Sequence, residues 1–185
     1  MTTDDELLAI RCQLGEPEAL NSLVARWHTP VWQYARRVTG SPDGADDVAQ
    51  DVWMRVVRGL PRLKEPERIR AWIFGIARRV LMDRLRRQYA APVSAAIDVD
   101  DLSNQDEDAA EEQRALETDL TRMHDALGDL PVIEREILAL FYLQELSIAD
   151  LAEVLSIPIG TVKSRLHRAR RLLRARLAHT QESHR

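Results

Sequence analysis

Apolar residues recur at intervals of three and four along most of the chain, and this spacing limits the possible folds more than any other feature. Over 20–38 the apolar positions are Leu20, Leu23, Val24, Trp27, Val31, Tyr34, Ala35 and Val38. This period puts them on one wide face of an α-helix, and stretches 45–60 and 69–87 repeat the pattern. No alternating, strand-like stretch interrupts them, and the abundance of Leu, Ala, Arg and Glu favours helices. The sequence predicts an all-α fold.

Breaks in this pattern divide the chain into two small helical domains. Glycines and prolines over 39–44 and 59–66 predict loops between the first helices, so residues 1–90 read as one helical domain with a short additional helix at Asp4–Gln13. Residues 91–113 have no sustained apolar stripe and cannot bury enough surface to offset their ordering entropy. We expect them to form a flexible acidic linker. Helical patterns resume from 114, which predicts a second domain over 114–185.

Charge is segregated along the chain, although its net value is only −4. Residues 98–112 hold eight acids and no Lys or Arg, whereas 62–87 hold nine basic residues and three acids. Residues 156–181 hold seven basic residues and no acid. Two basic blocks around an acidic one predict two surfaces that meet a polyanion, joined by a segment that does not bind it.

The stretch 147–176 predicts a helix-turn-helix. Ser147 and Asp150 have the spacing of a capping box, and Pro158 ends the first helix because proline disfavours helical geometry in the residue before it. The second helix is apolar on one side, and its polar side and flank carry Lys163, Ser164, His167, Arg168 and Arg171. A short helix, a tight turn and a longer basic helix fit a DNA major groove. The alternative is an ordinary solvent-exposed basic helix.

The first domain carries two further charged features. Asp47, Gln50 and Asp51 share one side of its second long helix, and Asp51 lies beyond the first turn, where stabilisation by the helix dipole fades. These residues predict a docking face for a basic partner; helix capping is the alternative for Asp47. The next helix bears Arg78, Arg79, Asp83 and Arg86, a second candidate polyanion contact. Trp72 in that helix is expected in the core rather than stacked on a base.

Taken together, these motifs resemble a known family. ADDVAQDVWMRVVRGL followed by RAWIFGIARRVLMDRLRR resembles region 2 of bacterial RNA polymerase sigma factors of the extracytoplasmic-function (group 4) subfamily. The run GTVKSRLHRAR and the residues before it resemble region 4 of the same subfamily. The resemblance covers about residues 19–88 and 118–178, in the expected order and with the expected linker.

The resemblance implies a role for each group of residues. Asp47, Gln50 and Asp51 match positions that bind the coiled coil of the largest polymerase subunit. The loop 61–68, with Arg62 and Lys64, matches the one that captures an unpaired base of the −10 element. The upstream edge of that element would be met by Arg78, Arg79, Asp83 and Arg86. The −35 element would be read by Lys163, Ser164, His167 and Arg168, while Arg171 contacts phosphate.

The implied function is a cytoplasmic promoter-specificity subunit whose partners are core RNA polymerase and promoter DNA. An anti-sigma factor is expected as a further partner, since no inhibitory region is recognisable. No cofactor, metal, small-molecule substrate or direct membrane insertion is expected. Two modules on a flexible tether lack a fixed spacing, so we expect the free chain to bind DNA poorly until polymerase supplies that spacing.

Two alternative functions, a stand-alone regulator and an enzyme, explain less of the sequence. A stand-alone helix-turn-helix regulator would explain 147–176, but it leaves Asp47–Asp51 and the second basic helix without a role. An enzyme is disfavoured because the five histidines, at 28, 124, 167, 179 and 184, have no metal-site spacing. The chain also lacks a Gly-rich phosphate loop, a nucleophile elbow and a CxxC motif.

Overall fold

The computed structural model of the chain describes residues 2–90 and 127–182, which form seven α-helices and no strand. The helices are α1 Thr2–Gln13, α2 Pro17–Thr39, α3 Pro42–Gly59, α4 Ile69–Ala90, α5 Val132–Leu138, α6 Ile148–Leu155 and α7 Ile159–Glu182. The all-α prediction is confirmed. The predicted linker 91–113, the helix expected from 114 and His124 lie outside the described residues. Among the described helices, none is both long and apolar enough to cross a bilayer.

The junction between α2 and α3 is shorter than the sequence predicted. Gly40 adopts a left-handed conformation with φ of 76° and donates its N–H to the Arg36 carbonyl, which ends α2. Ser41 then caps α3 by accepting from the Gly44 N–H at 3.1 Å, and Pro42 occupies the first turn. The predicted loop over 39–44 is therefore too long, because α3 already begins at Pro42 and both Pro and Gly are tolerated at the start of a helix.

Three aromatic side chains organise the core of the amino-terminal segment, residues 2–90. Phe74 meets Trp27 and Tyr34 edge to face, with ring centroids 6.2 and 5.7 Å apart. Trp72 is half-buried against this core and closely approaches Gly59, where a Cβ would come within 2.9 Å of the indole ring. As predicted, Trp72 therefore packs on the protein. Phe74 itself is fully buried.

The carboxyl-terminal segment, residues 127–182, contains the predicted helix-turn-helix. Both halves of the capping box form: Ser147 Oγ accepts from the Asp150 N–H at 3.1 Å, and Asp150 accepts from the Ser147 N–H at 3.3 Å. Ser156 turns the chain with φ of 53°, and α7 begins just after Pro158. Val162, Leu166 and Ala169 are buried, as the apolar face predicted. Before this motif, α5 continues into one π-helical turn over Ala139–Leu143.

The two segments are packed together. Helix α4 lies against α6, and α2 lies against α5, so buried apolar residues of both segments form one continuous core. The sequence predicts two modules without a fixed spacing, whereas the structure gives them a defined relative position through direct contact.

The capping box supports a stability prediction. Ser147→Ala should lower the free energy of unfolding by about 1 kcal/mol, because the backbone N–H of Asp150 in the first turn of α6 loses its side-chain acceptor. The matched control is Ser22→Ala, whose hydroxyl only donates to the Glu18 carbonyl in the exposed middle of α2. Urea unfolding of both variants measures the difference, and an equal loss in both would contradict the role of the cap.

Candidate nucleic-acid interface

One groove brings together the residues predicted to bind polymerase. Asp47, Gln50 and Asp51 line it from α3, and Arg84 and Arg87 line it from α4. Asp47 Oδ2 lies 2.8 Å from Arg84 Nη1, and the Asp47 side chain is 63% exposed. The groove is therefore mixed in charge. Arg84 was missed by the sequence reasoning, because a contact between two helices leaves no trace in the periodicity of either.

The acids next to this groove do not all share its function. Asp46, one residue before Asp47, accepts a hydrogen bond from Trp32 Nε1 at 2.7 Å. That bond joins α2 to α3, so the exposed Asp46 contributes to the packing of these two helices, and it is not among the residues that line the groove.

The residues predicted to contact the −10 element are spread over a longer surface. Arg62 ends the 3₁₀ turn Leu60–Arg62, and Lys64 lies between that turn and the next one, Pro66–Arg68; both side chains are exposed. Arg79 and Arg86 are exposed on α4. Asp83 lies 3.6 Å from Arg86 and 3.9 Å from Arg55, so it neutralises part of this surface.

Arg78 has a different environment from its neighbours. Its Nε donates to Glu136 Oε1 at 3.0 Å, and the Tyr34 hydroxyl donates to the same oxygen at 2.9 Å. Glu136 is 2% exposed. Burial raises the pKa of the Glu136 carboxyl above its ordinary value, and Arg78 and Tyr34 oppose that rise. Burial, followed by the charge of Glu136, also raises the pKa of Tyr34 well above normal. Arg78 is thus engaged by the carboxyl-terminal segment.

Two more arginines of the amino-terminal segment face acids of the other segment. Arg68 pairs with Asp150, at 3.3 Å, and with Glu153. Arg70 pairs with Glu145 at 3.7 Å while its guanidinium covers the Trp27 ring. The sequence does not predict these pairs, because the charge count takes each stretch separately. Asp150 is identified there only as a capping residue.

The predicted reading residues on α7 share one open face. Lys163, Ser164, His167, Arg168 and Arg171 are all exposed. Arg168 also has a partner, since its Nε lies 3.1 Å from Glu134 Oε1, and Glu134 is only 6% exposed. The buried carboxylate holds the Nε edge of the guanidinium, while the Arg168 side chain is 63% exposed. Glu134 is a functional candidate that lies outside the helix-turn-helix pattern, so periodicity could not find it.

Comparisons with known proteins match this geometry. The profile Sigma-70 region 2 matches residues 23–90, and Sigma-70, region 4 matches residues 120–173. The ECF RNA polymerase sigma factor SigM of Mycobacterium tuberculosis is 35% identical over 179 residues, covering 95% of this chain and 83% of SigM. The chain belongs to the extracytoplasmic-function family of RNA polymerase sigma factors. Its amino-terminal and carboxyl-terminal segments are accordingly regions 2 and 4.

Solved structures of two sigma factors share this fold. CnrH, in a complex with the cytosolic domain of CnrY, is 28% identical to this sigma factor with a TM-score of 0.68, covering 94% of this chain and 97% of CnrH. The sigma factor RpoE of Bartonella quintana, in a complex with the anti-sigma factor NepR, shares the fold at 23% identity with a TM-score of 0.65, covering 85% and 96%.

The buried Glu136 predicts a pH dependence of stability. Its pKa is higher in the folded chain than in the unfolded chain, so the folded chain binds this proton more tightly and gains stability as pH falls. Glu136→Gln keeps an acceptor for Tyr34 but removes the titration. The unfolding free energy of the wild type minus that of the variant should therefore rise from pH 7 to pH 5. Urea titrations measure it, and a difference that stays constant or falls would contradict the assignment.

Proposed function

We propose that this sigma factor docks on core RNA polymerase through Asp47, Gln50 and Asp51 and directs it to promoters by reading −10 and −35 elements. The proposal rests chiefly on one observation: the three docking residues line a single exposed groove of region 2, on a chain whose region 4 exposes a basic reading helix. Sigma factors are initiation factors rather than enzymes, and the residues proposed here bind and orient. In our proposal the chain acts in the cytoplasm, with no cofactor and no small-molecule substrate.

The docking groove suits a basic partner helix that also carries an acid. Asp51 and Asp47 would receive its cations, and Arg87 lies close enough to meet an anionic side chain. Such charge patterning selects the partner and its register more than it adds affinity. It also explains why Arg84 holds Asp47: the pair keeps that carboxylate oriented into the groove until the partner arrives.

Region 4 would read the −35 element with α7 in the major groove. Arg168 is the strongest candidate for a guanine contact, because an arginine can donate two parallel hydrogen bonds to O6 and N7. Glu134 acts as a positioning residue for it by holding Nε, which leaves both terminal nitrogens available for the base. Lys163, Ser164 and His167 supply the neighbouring contacts, and Arg171 meets the phosphates, which adds affinity without sequence information.

Region 2 would hold the melted −10 element along Arg62, Lys64, Arg79 and Arg86, with Asp83 fixing Arg86 and Arg78 joining when it is released. Residues 91–113 would span the distance between the two regions as an acidic linker, dividing domains at 1–90 and 114–185. An anti-sigma factor would control the protein, as NepR binds the sigma factor RpoE of Bartonella quintana.

Charge reversal in the groove tests polymerase docking. Asp51→Arg should weaken binding to purified core polymerase at least about 100-fold, because a like-charge contact costs several kcal/mol. The control is Asp43→Arg, the same change in the first turn of the same helix but outside the groove. Fluorescence-detected titration with core polymerase gives both affinities, and circular dichroism checks that both variants fold.

Run-off transcription completes this test. Initiation at a specific start site should require the wild-type protein, persist with Asp43→Arg and be absent with Asp51→Arg. An equal loss of initiation in both variants would mean that the change in net charge, and not the groove, causes the defect. Duplex footprinting by the chain alone, without stimulation of polymerase, would instead favour a stand-alone regulator.

Base reading by region 4 makes a separate prediction. Arg168→Ala should cost about 1–3 kcal/mol at one or two −35 positions and leave other positions unchanged. Glu134→Gln should relax preference at the same positions, since Arg168 loses its anchor. Arg171→Ala should weaken binding evenly across sequences and lower the salt slope by about 0.9. Selection of binding sites by the holoenzyme from a randomised −35 library measures the first two effects, and affinities at several salt concentrations measure the third. A uniform loss in Arg168→Ala would make that residue a phosphate contact.

A further inference from the structure

Helix α1 has no part in the proposed function, yet it ends directly against the loop 61–68 that would meet the −10 element. It packs on the 3₁₀ turns at both ends of this loop. Its last residue is Gln13, whose side-chain Nε2 donates to the Leu60 carbonyl at 3.2 Å and to the Leu63 carbonyl at 2.7 Å. One side chain of α1 therefore holds the backbone of the loop at two points.

These two bonds differ in kind from the bonds within the loop. A primary amide carries two N–H hydrogens, and both of those on Gln13 meet backbone carbonyls. The first turn closes on itself through the Leu63 N–H and the Leu60 carbonyl, at 3.1 Å. The second closes through the Arg68 N–H and the Glu65 carbonyl, at 3.0 Å. Such internal bonds shape each turn, whereas the bonds from Gln13 join the first turn to the rest of region 2.

The end of α1 that carries Gln13 is itself well anchored. Ala9, one turn before it, is fully buried in the core. Gly15 then turns the chain with φ of 83°, and the Glu16 N–H donates back to the Arg11 carbonyl at 3.2 Å. The side chains of Arg11 and Glu16 also pair, at 2.8 Å. The half-buried Gln13 side chain thus projects towards the loop from a fixed support.

The side chains proposed to contact DNA project from the segment that Gln13 holds. Arg62 lies between the two anchored carbonyls, and Lys64 directly follows the second; both side chains are exposed. Holding the peptide groups beside these residues limits the directions in which they can point. A loop that is already ordered in its bound shape loses less conformational entropy when it binds.

We propose that Gln13 is a positioning residue for −10 recognition, and that its amide holds the 61–68 loop in the shape that places Arg62 and Lys64 against the melted strand. Gln13 acts through the loop and does not itself touch nucleic acid. The inference rests on the proposed function of this loop, and it deepens that function by naming what orders the loop before DNA arrives.

Removal of the two donors tests the proposal. Q13M keeps the length and the neutral charge of the side chain but cannot donate to either carbonyl. The control is Q33M, the same change at an exposed position of α2. Holoenzyme containing each variant is titrated with a labelled single strand that spans the −10 element of the promoter used for run-off transcription. We expect Q13M to bind this strand about tenfold more weakly than Q33M, with equal affinity of both variants for core polymerase.

A double-mutant cycle separates positioning from a general loss of stability. R62A/K64A lacks the two side chains that Gln13 is proposed to place, and it should itself weaken binding of the strand. In that background, Q13M should lower the affinity by less than about twofold, because nothing remains for it to position. A loss of about tenfold in both backgrounds would overturn the proposal, since the effect would then not pass through the loop.

Hydrogen exchange in the free, full-length chain reports on the loop directly. Amides of the segment 62–65 should exchange about tenfold faster in Q13M than in Q33M, while those in the middle of α4 exchange at equal rates. Equal exchange of the loop in the two variants would overturn the proposal. If Q13M does not fold, Q13A removes the same donors with a smaller side chain and takes its place in all three measurements.

The outcomes distinguish this inference from the proposed function. If R62A/K64A loses affinity for the strand but Q13M binds like Q33M, the function of the loop stands and the inference is overturned. If R62A/K64A keeps full affinity, the proposed −10 role of the loop fails. Faster exchange in Q13M would then still support the anchoring of the loop by Gln13, and equal exchange would overturn that as well.

Discussion

A buried carboxylate joins the two halves of this sigma factor. Glu136 is removed from water by the contact between α2, α4 and α5, and one of its oxygens accepts from both Tyr34 and Arg78. An isolated charge buried in this way would be very costly, so the carboxylate requires those two donors. Its partners both lie in region 2. The hydrogen bonds to this buried acid of region 4 therefore depend on contact with region 2, which makes the packing of the two regions specific.

The neighbouring contacts strengthen this specificity with backbone groups. Arg135 donates to the Arg37 carbonyl at the end of α2, and the buried Gln144 donates to the Pro30 carbonyl within it. These bonds demand one register between the regions, unlike the exposed pairs of Arg68 and Arg70, which tolerate small shifts. The interface thus combines a few geometrically strict contacts with an outer ring of weak charge pairs. That combination holds one closed position while leaving much of its edge open to competition by solvent, salt or another polyanion.

Much of the fold could be predicted from the sequence because the signals for it are local. The capping pair Ser147 and Asp150, the turn at Pro158 and the apolar face of α7 each depend on residues a few positions apart, and the structure contains all of them. The start of α3 was placed three residues late, since Pro42 and Gly44 are read as breakers when the Ser41 cap is overlooked. The contacts of Arg78, Arg168 and Asp47 could not be predicted, because their partners are distant along the chain or on another helix.

The same limit explains why the count of basic residues along the sequence does not describe the surface of region 2 correctly. A count of nine basic residues over 62–87 suggests one continuous polyanion surface, yet the helical arrangement turns Arg68, Arg70 and Arg78 towards region 4 and leaves Arg79 and Arg86 outward. A linear count cannot separate these two sets, since it ignores the direction of each side chain around the helix. The acidic residues that pair with Arg68, Arg70 and Arg78 lie on α5, in the loop before α6 and on α6 itself. Complementary charge on two surfaces of one chain is therefore visible only after folding.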